Sequence, residues 1–309
     1  MIVGQPDRRE LVHPAPTSTE PRSCRQRHLP HRVPDFAFDA EPPPIWTPLH
    51  PELACIANAV SLMMPHVEPL IVRTVRAATR ELGDEAPNSS SAYALQELEH
   101  QRQHRRWNRV VTAHYPSLRR VDRLIRWWYR MIGRRGGLGA QVAFAAGSES
   151  VAYAVARWVE RHADELFAQA DPAVAALFVW HLAEEVEHKS AAHDLFVATG
   201  WRRTQLWFAT LAAVVSLAGL TVIGATPMLL RTRRLLSPAG WWTLARWSLS
   251  FAFSELPNIA ASLRRDHHPG QFVDPGWYAT WLATSGFAQD PVRSAQLERE
   301  APGTADLAG

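Results

Sequence analysis

Two short stretches of the 309-residue chain carry the same pattern: Glu97-Leu98-Glu99-His100 and Glu185-Val186-Glu187-His188. Both lie in segments whose apolar residues recur at helical spacing, and the helix before each motif carries one further glutamate, Glu68 or Glu149. Positions i and i+3 share one face of a helix, so each motif points a carboxylate and an imidazole in the same direction. The order Glu, Glu-x-x-His, Glu, Glu-x-x-His therefore predicts four helices whose polar side chains converge on one place.

This order matches the ligand order of ferritin-like carboxylate bundles, in which four helices hold two iron or manganese ions. The separations of 29 residues from Glu68 to Glu97 and 36 residues from Glu149 to Glu185 fit helices that run out and back. A third match, residues 10–13, lies in a Pro-rich stretch without apolar periodicity, so one Glu-x-x-His motif alone means little. We predict an all-α fold, a ferritin-like four-helix bundle with extra C-terminal apolar helices.

Composition and breaker residues divide the chain into four predicted regions. Residues 1–46 form a Pro- and Arg-rich extended arm, 47–203 the di-metal bundle, 204–270 apolar and amphipathic helices, and 271–309 an irregular tail.

Prolines mark two places in the predicted bundle. Pro65 should bend the first core helix, 52–82, just before its ligand glutamate. Asp171 is a predicted N-cap for the fourth core helix, 172–199, with Pro172 at the first helical position.

Six side chains are the candidate ligands of two metal ions. They are Glu68, Glu97, His100, Glu149, Glu185 and His188. Carboxylates bridge cations, and a set with one histidine per ion favours iron, with manganese or zinc as alternatives. Glu149 lies in the apolar run 142–152, where an isolated carboxylate would be costly to bury without a partner cation.

Five further side chains lie near the predicted ligands along their helices. His181 and Glu184 are candidate proton carriers, and Tyr153 is a candidate contact to bound oxygen species. His104 and Asp194 are candidate extra ligands or supports of a ligand histidine. The alternative for each is a hydrogen-bonded interior residue.

The segment Trp180-His181-Leu182-Ala183-Glu184-Glu185-Val186-Glu187-His188-Lys189, followed by Ala192-His193-Asp194, resembles a motif of a bacterial family. The motif is WHxxEExEHK…FD and the family is the predicted metal-dependent hydrolases; His193 stands where the motif has an aromatic residue. Residues 96–100 are similar to the QExxH segment of the family, and residues 65–68 to its P-x-G-E segment, without the glycine. The resemblance covers residues 35–270 and implies a fold near the ferritin-like superfamily, with metal-ligating Glu and His residues.

Composition also restricts the expected partners. The net charge of +3 comes with scattered arginines, so no nucleic-acid partner is expected. Residues 204–230 carry no charge and tryptophans lie beside them, which predicts contact with a membrane surface. A homodimer interface or burial against the bundle is the alternative. The chain has two cysteines and begins without an apolar run, which predicts a cytoplasmic protein. If the apolar segment binds lipid, we expect the protein to attach to the inner membrane.

The ligand set favours an enzyme that uses O2 to oxidise a hydrophobic small molecule. Metal-dependent hydrolysis of an ester or phosphoester is the alternative, which the name of the resembling family favours. A metal-binding or storage protein is the non-enzymatic alternative; the long apolar segment and the Pro-rich arm argue against it.

Overall fold

The computed structural model describes residues 29–38, 41–264 and 266–284, and these residues form only helices and connecting loops. In chain order the α-helices are α1 (Pro51–Ser61), α2 (Met64–Leu82), α3 (Ser90–His114), α4 (Leu118–Arg135), α5 (Leu138–Leu166), α6 (Pro172–His188), α7 (Ala191–Ala198), α8 (Arg203–Arg231), α9 (Pro238–Ala261) and α10 (Gly276–Thr284). The predicted all-α class is confirmed. The third Glu-x-x-His match, at residues 10–13, lies outside the described residues.

Two segments predicted as single helices are each observed as a pair. The segment 52–82 divides into α1 and α2, with Pro65 in the first turn of α2, where its missing N–H breaks no helical hydrogen bond. The segment predicted to run to residue 199 divides into α6 and α7 just after the second motif. At this break the Lys189 ammonium donates to the Phe272 carbonyl over 2.6 Å. Apolar periodicity carries no information about such a long-range contact.

Four helices form the core bundle and carry the predicted ligands. α2 packs against α3 and α5, and α6 packs against the same two helices, so the four surround one interior. The Asp171 carboxylate accepts hydrogen bonds from two backbone N–H groups in the first turn of α6, as its N-cap pattern predicts. α4 joins α3 to α5 outside this core. The arrangement is consistent with a ferritin-like bundle.

The helices that follow the bundle pack directly against it. α8 runs along α5 and α1, and α9 contacts α5. A glycine allows the closest approach: a Cβ atom on Gly147 of α5 would lie 2.7 Å from the Thr210 Cα atom of α8. The outer faces of α8 and α9 remain exposed.

The described part of the N-terminal arm forms no α-helix and packs into the core. Its apolar side chains Leu29, Phe36 and Phe38 are buried, and Trp46 is only 1% exposed. The backbone N–H of Asp171 donates to the Trp46 carbonyl, which ties the arm to the start of α6.

Candidate metal centre

The predicted ligands come from all four core helices and are all buried. Glu68 lies on α2, Glu97 and His100 on α3, Glu149 on α5, and Glu185 and His188 on α6. None of the six is more than 5% exposed. On α3 and α6 the i, i+3 spacing directs a carboxylate and an imidazole to the same interior face.

The inner faces of the two motifs meet. His188 Nδ1 lies 3.0 Å from Glu97 Oε1 and 3.9 Å from Glu149 Oε2. Glu185 Oε1 lies 4.0 Å from the same nitrogen and 3.7 Å from His100 Nδ1. One donor atom from each of the four motif residues lies within 4.8 Å of the other three. Both motifs therefore offer ligand atoms to one point.

Glu68 approaches this point from α2. A second group of donor atoms within 4.8 Å of one another comprises Glu68, His100 and His181. His181 Nε2 lies 3.9 Å from Glu68 Oε1 and 2.9 Å from Glu185 Oε1. His100 belongs to both groups and links them into one cluster, as a dinuclear centre would require.

The unpaired atoms of the cluster fit a bound cation. Six buried atoms of the cluster have no hydrogen-bond partner in the part of the chain that the structure describes: both carboxylate oxygens of Glu68, Glu97 Oε1, Glu149 Oε2, His100 Nδ1 and His188 Nδ1. The close approach of His188 to Glu97 is thus not a hydrogen bond. Leaving a buried polar atom unpaired costs about 1–3 kcal/mol, so unpaired atoms rarely gather at one place without a ligand.

Burial and mutual repulsion act on the four carboxylates together. Burial, followed by the neighbouring carboxylates, raises the pKa of Glu68, Glu97 and Glu149 well above the ordinary value. The same two causes raise the pKa of Glu185 to about 7. All four groups can be ionised together only with positive charge among them, which divalent cations would supply.

Each candidate ligand histidine has a contact to its outer nitrogen. His100 Nε2 lies 3.0 Å from Glu184 Oε2, and His188 Nε2 lies 2.8 Å from Gln96 Oε1. An oxygen acceptor at this position places the ring proton on Nε2 and leaves the Nδ1 lone pair directed at the carboxylates. Both imidazoles are therefore oriented for binding a metal through Nδ1.

Glu184, a predicted proton carrier, is fully buried behind His100. Besides its contact to that ring, its carboxylate accepts hydrogen bonds from Trp180 Nε1 at 2.9 Å and Arg32 Nη1 at 3.0 Å. It does not line the cavity described below. We therefore assign Glu184 to the positioning of His100 instead of to proton transfer.

Arg32 is a supporting residue that the sequence analysis missed. Its guanidinium donates to both oxygens of Glu187, at 2.8 Å each, as well as to Glu184. Glu187 also accepts from Gln96 Nε2 and from the Tyr278 hydroxyl. Arg32 lies in the arm and Tyr278 in α10, far along the chain from the motifs. One sequence signal could have indicated such a residue. Glu184 and Glu187 are an i, i+3 pair of carboxylates on an apolar helix, and two buried carboxylates need a cation.

A chain of hydrogen bonds fixes the tautomer of His181. Asn108 Nδ2 donates to the Ser61 carbonyl, so its Oδ1 accepts from the Ser61 hydroxyl over 2.7 Å. Ser61 Oγ then accepts from His104 Nδ1, and His104 Nε2 accepts from His181 Nδ1. This assignment leaves the His181 Nε2 lone pair facing Glu185 Oε1, so a proton or a cation must lie between them. Burial lowers the pKa of His104 and takes the pKa of His181 to about 4, which keeps both rings neutral.

Two other predicted residues point away from the cluster. The Tyr153 hydroxyl donates its single proton to the Val273 carbonyl at 2.7 Å, so it is directed at the C-terminal segment. Asp194 lies 2.7 Å from His268 Nε2, in a separate group of side chains on α7. The break between α6 and α7 removes Asp194 from the helix that carries the second motif.

One protein family, described as predicted metal-dependent hydrolases, matches residues 30–272, which include all six candidate ligands. The chain belongs to this family. No curated protein and no solved structure matches it. The description of the predicted metal-dependent hydrolases favours the hydrolytic alternative over the oxidation that the ligand order suggested.

In this member of the predicted metal-dependent hydrolases, an apolar cavity of about 230 Å³ adjoins the ligand cluster. Its wall combines side chains of α1 to α6 and α8, such as Ile56, Trp158 and Leu217. The charged or imidazole-bearing side chains on this wall are Glu68, Glu97, His104, Glu149, His181 and Glu185. A molecule that fills the cavity would therefore contact apolar side chains along most of its length and the ligand cluster at one end.

Proposed function

We propose that the protein hydrolyses an apolar ester with two metal ions held by Glu68, Glu97, His100, Glu149, Glu185 and His188. One observation carries the proposal: unpaired donor atoms from four helices meet beside a largely apolar cavity. When bound there, divalent cations would supply Lewis acidity, which polarises a carbonyl oxygen and lowers the pKa of water. The carboxylate-rich ligand set favours iron or manganese over zinc of the structural type.

We assign the proton transfer of this reaction to His181. Hydrolysis joins a water oxygen to the acyl carbon and breaks the bond from that carbon to the leaving oxygen, which takes up a proton; nothing is oxidised. His181 lies at the cavity wall, and its Nε2 lone pair can accept a proton from water when it is not shared with Glu185. The hydrogen bond from His181 Nδ1 to His104 holds the ring in this orientation.

The apolar cavity wall supports a hydrophobic substrate over a sugar or a nucleotide. A strongly polar substrate would lose its hydration against side chains such as Val60, Phe144 and Leu217 without gaining hydrogen bonds. An acyl or aryl group would bury its surface there and leave the ester next to the carboxylate cluster.

The test uses the full chain, reconstituted without oxygen with Fe²⁺, Mn²⁺ or Zn²⁺ and assayed with nitrophenyl esters of increasing acyl length. We expect metal-dependent turnover that needs no O2 and improves with acyl length. His188→Ala should lose both bound metal and turnover, whereas His114→Ala, at an exposed position, should keep both. Failure of every metal and ester combination would contradict hydrolysis.

A second substitution separates proton transfer from ligation. His181→Gln should retain the wild-type metal content but lower kcat by about 10²–10⁴-fold, the usual contribution of a general acid or base. Loss of a metal ion in this variant would instead make His181 a ligand.

Oxidation by O2 is the second candidate function, which the ligand order favours. A specific contact adds to it: the Tyr93 hydroxyl donates to Glu149 Oε1 at 2.5 Å, next to the unpaired oxygen of the same carboxylate. This reaction consumes O2 and needs an external reductant, unlike hydrolysis. The test supplies the Fe²⁺-loaded chain with an apolar substrate and with a reductant that does not itself consume O2. Oxygen uptake would favour oxidation, and absence of uptake would exclude it.

We also propose that the outer face of α8 and α9 binds a membrane surface. Pro51–Glu85 and Arg203–Arg231 are both long and apolar enough to cross a membrane, but 61% of the apolar window is buried in the first and 33% in the second. Phe208 on α8 and Phe253 on α9 are 76% and 79% exposed. Because α8 packs on α1 and α5, crossing a bilayer would strip it from the bundle, whereas lying on the surface would not.

Flotation with lipid vesicles tests this surface. The full chain should float with vesicles of phosphatidylethanolamine and phosphatidylglycerol, and the double variant Phe208→Asp, Phe253→Asp should remain in solution. Leu49→Asp, at a half-exposed residue away from α8 and α9, is the control and should still float. If the wild-type chain does not float but dimerises through this face, the surface binds a second copy of the chain instead of a membrane.

A further inference from the structure

A separate group of metal-ligating side chains lies where α7 meets the segment after α9. His193, Asp194 and His268 each offer one donor atom, and the three atoms lie within 4.8 Å of one another. Asp194 Oδ1 lies 2.7 Å from His268 Nε2, and the rings of His193 and His268 are 5.2 Å apart between centroids. None of these residues belongs to the ligand cluster inside the bundle.

His193 is the residue that packing alone does not explain. Its side chain is 5% exposed, and among the described residues neither Nδ1 nor Nε2 has a hydrogen-bond partner. Burying two unpaired ring nitrogens is unfavourable, and an aromatic ring would fill the same space without that cost. The buried ring of His193 therefore fits a ligand of a cation better than a residue that only packs.

The other two side chains are oriented for the same purpose. The Gly270 N–H donates to His268 Nδ1 at 3.0 Å, which fixes the ring and directs Nε2 at Asp194. Arg203 is the opposing charge nearby, and its guanidinium donates to the Arg264 carbonyl.

We propose that His193, Asp194 and His268 bind one divalent cation of the zinc class, separate from the dinuclear centre. Two neutral imidazoles and one carboxylate form a common ligand set for zinc, with water as the fourth ligand. On binding, the ring proton of His268 moves from Nε2 to Nδ1, which gives up the hydrogen bond from the Gly270 N–H, so that Nε2 of the neutral ring can hold the cation. The ion joins α7 to the segment around residue 268.

A cation here would fasten the C-terminal segment over the outer side of the bundle. That segment reaches the supports of the dinuclear centre, since the Tyr278 hydroxyl donates to Glu187 and Lys189 pairs with Asp274. The site is therefore a clamp on the segment that covers the centre, and it needs no part of the proposed chemistry.

Metal content of the full chain tests the site. After loading with Zn²⁺ and removal of free metal, the wild type should hold one equivalent more than His193→Phe, which keeps an aromatic ring but removes both ring nitrogens. His114→Phe, an exposed histidine, should keep the wild-type content. Equal metal content in the wild type and His193→Phe would overturn the proposal.

Two further measurements are needed. The first applies if the His193→Phe chain does not fold, and the second distinguishes this site from the dinuclear centre. Asp194→Asn and His268→Gln should each lose the same single equivalent, and retention by both would overturn the site. In a His188→Ala background, adding the His193→Phe substitution should still remove one equivalent. Disappearance of this difference would assign the ion to the bundle cluster instead.

Discussion

Arg32 balances two carboxylates that are buried behind the ligand histidines. Arg32→Ala would leave Glu184 and Glu187 without their cation inside the protein, and uncompensated buried charge costs about 3–5 kcal/mol. Chemical denaturation should therefore show a loss of this size in the free energy of unfolding. Arg102→Ala is the matched control: its ion pair with Glu99 has a guanidinium 53% exposed, so about 1 kcal/mol or less is expected. Equal losses in the two variants would refute the role of Arg32.

Glu184 offers a second test at the scale of a single residue. Glu184→Gln keeps the shape of the side chain but removes the charge that fixes the Nε2 proton of His100. Loss of such an outer contact typically weakens metal binding by about 10–100-fold, which competition with a chelator of known affinity would measure. The exposed Glu81→Gln substitution is the control and should leave affinity unchanged. A Glu184→Gln chain with wild-type affinity would remove Glu184 from the site.

The contact between α5 and α8 depends on the absence of a side chain at Gly147. In Gly147→Ala, the new methyl group would lie 2.7 Å from the Thr210 backbone, and α8 would have to move. Overpacking of this kind typically costs about 1–3 kcal/mol, measurable by thermal or chemical unfolding.

Gly219 on α8 is the matched helical glycine, because no atom of the described residues lies within 4 Å of its Cβ position. Gly219→Ala should be neutral or stabilise the chain by up to about 1 kcal/mol, through helix propensity alone. If both substitutions had the same effect on stability, the close packing of α8 on the bundle would be in error.

Metal removal is a test on the whole molecule, because the ligands join all four core helices. Chelation would leave Glu68, Glu97, Glu149 and Glu185 buried together without a cation, so the thermal midpoint should fall. A ligand present at about 100 times its Kd stabilises the native state by about 2.7 kcal/mol, and this much should be lost. His188→Ala should already unfold at a lower temperature and respond less to the chelator. If chelation leaves the thermal midpoint of the wild-type chain unchanged, the chain holds no metal in its core.

The sequence by itself determined the helical class of the core segments and the residues that carry the two motifs, but not the breaks between α1 and α2 or between α6 and α7. Helix type and the i, i+3 placement of Glu97 with His100 follow from local spacing, as does the cap at Asp171, because each depends on residues within a few positions. The membership of the chain in the family of predicted metal-dependent hydrolases agrees with these local patterns.

Only the tertiary structure decided what surrounds these residues. Arg32 meets Glu187 from a distance of 155 positions, and Tyr278 reaches the same carboxylate from the other end of the chain. The orientation of His181, and the direction taken by Tyr153, likewise depend on partners from distant segments. Contacts of this kind arise from the packing of whole helices and loops, so no periodicity in one segment encodes them. The ligand positions are thus a local property of the sequence, whereas the buried charge balance that would make them a metal centre belongs to the folded chain.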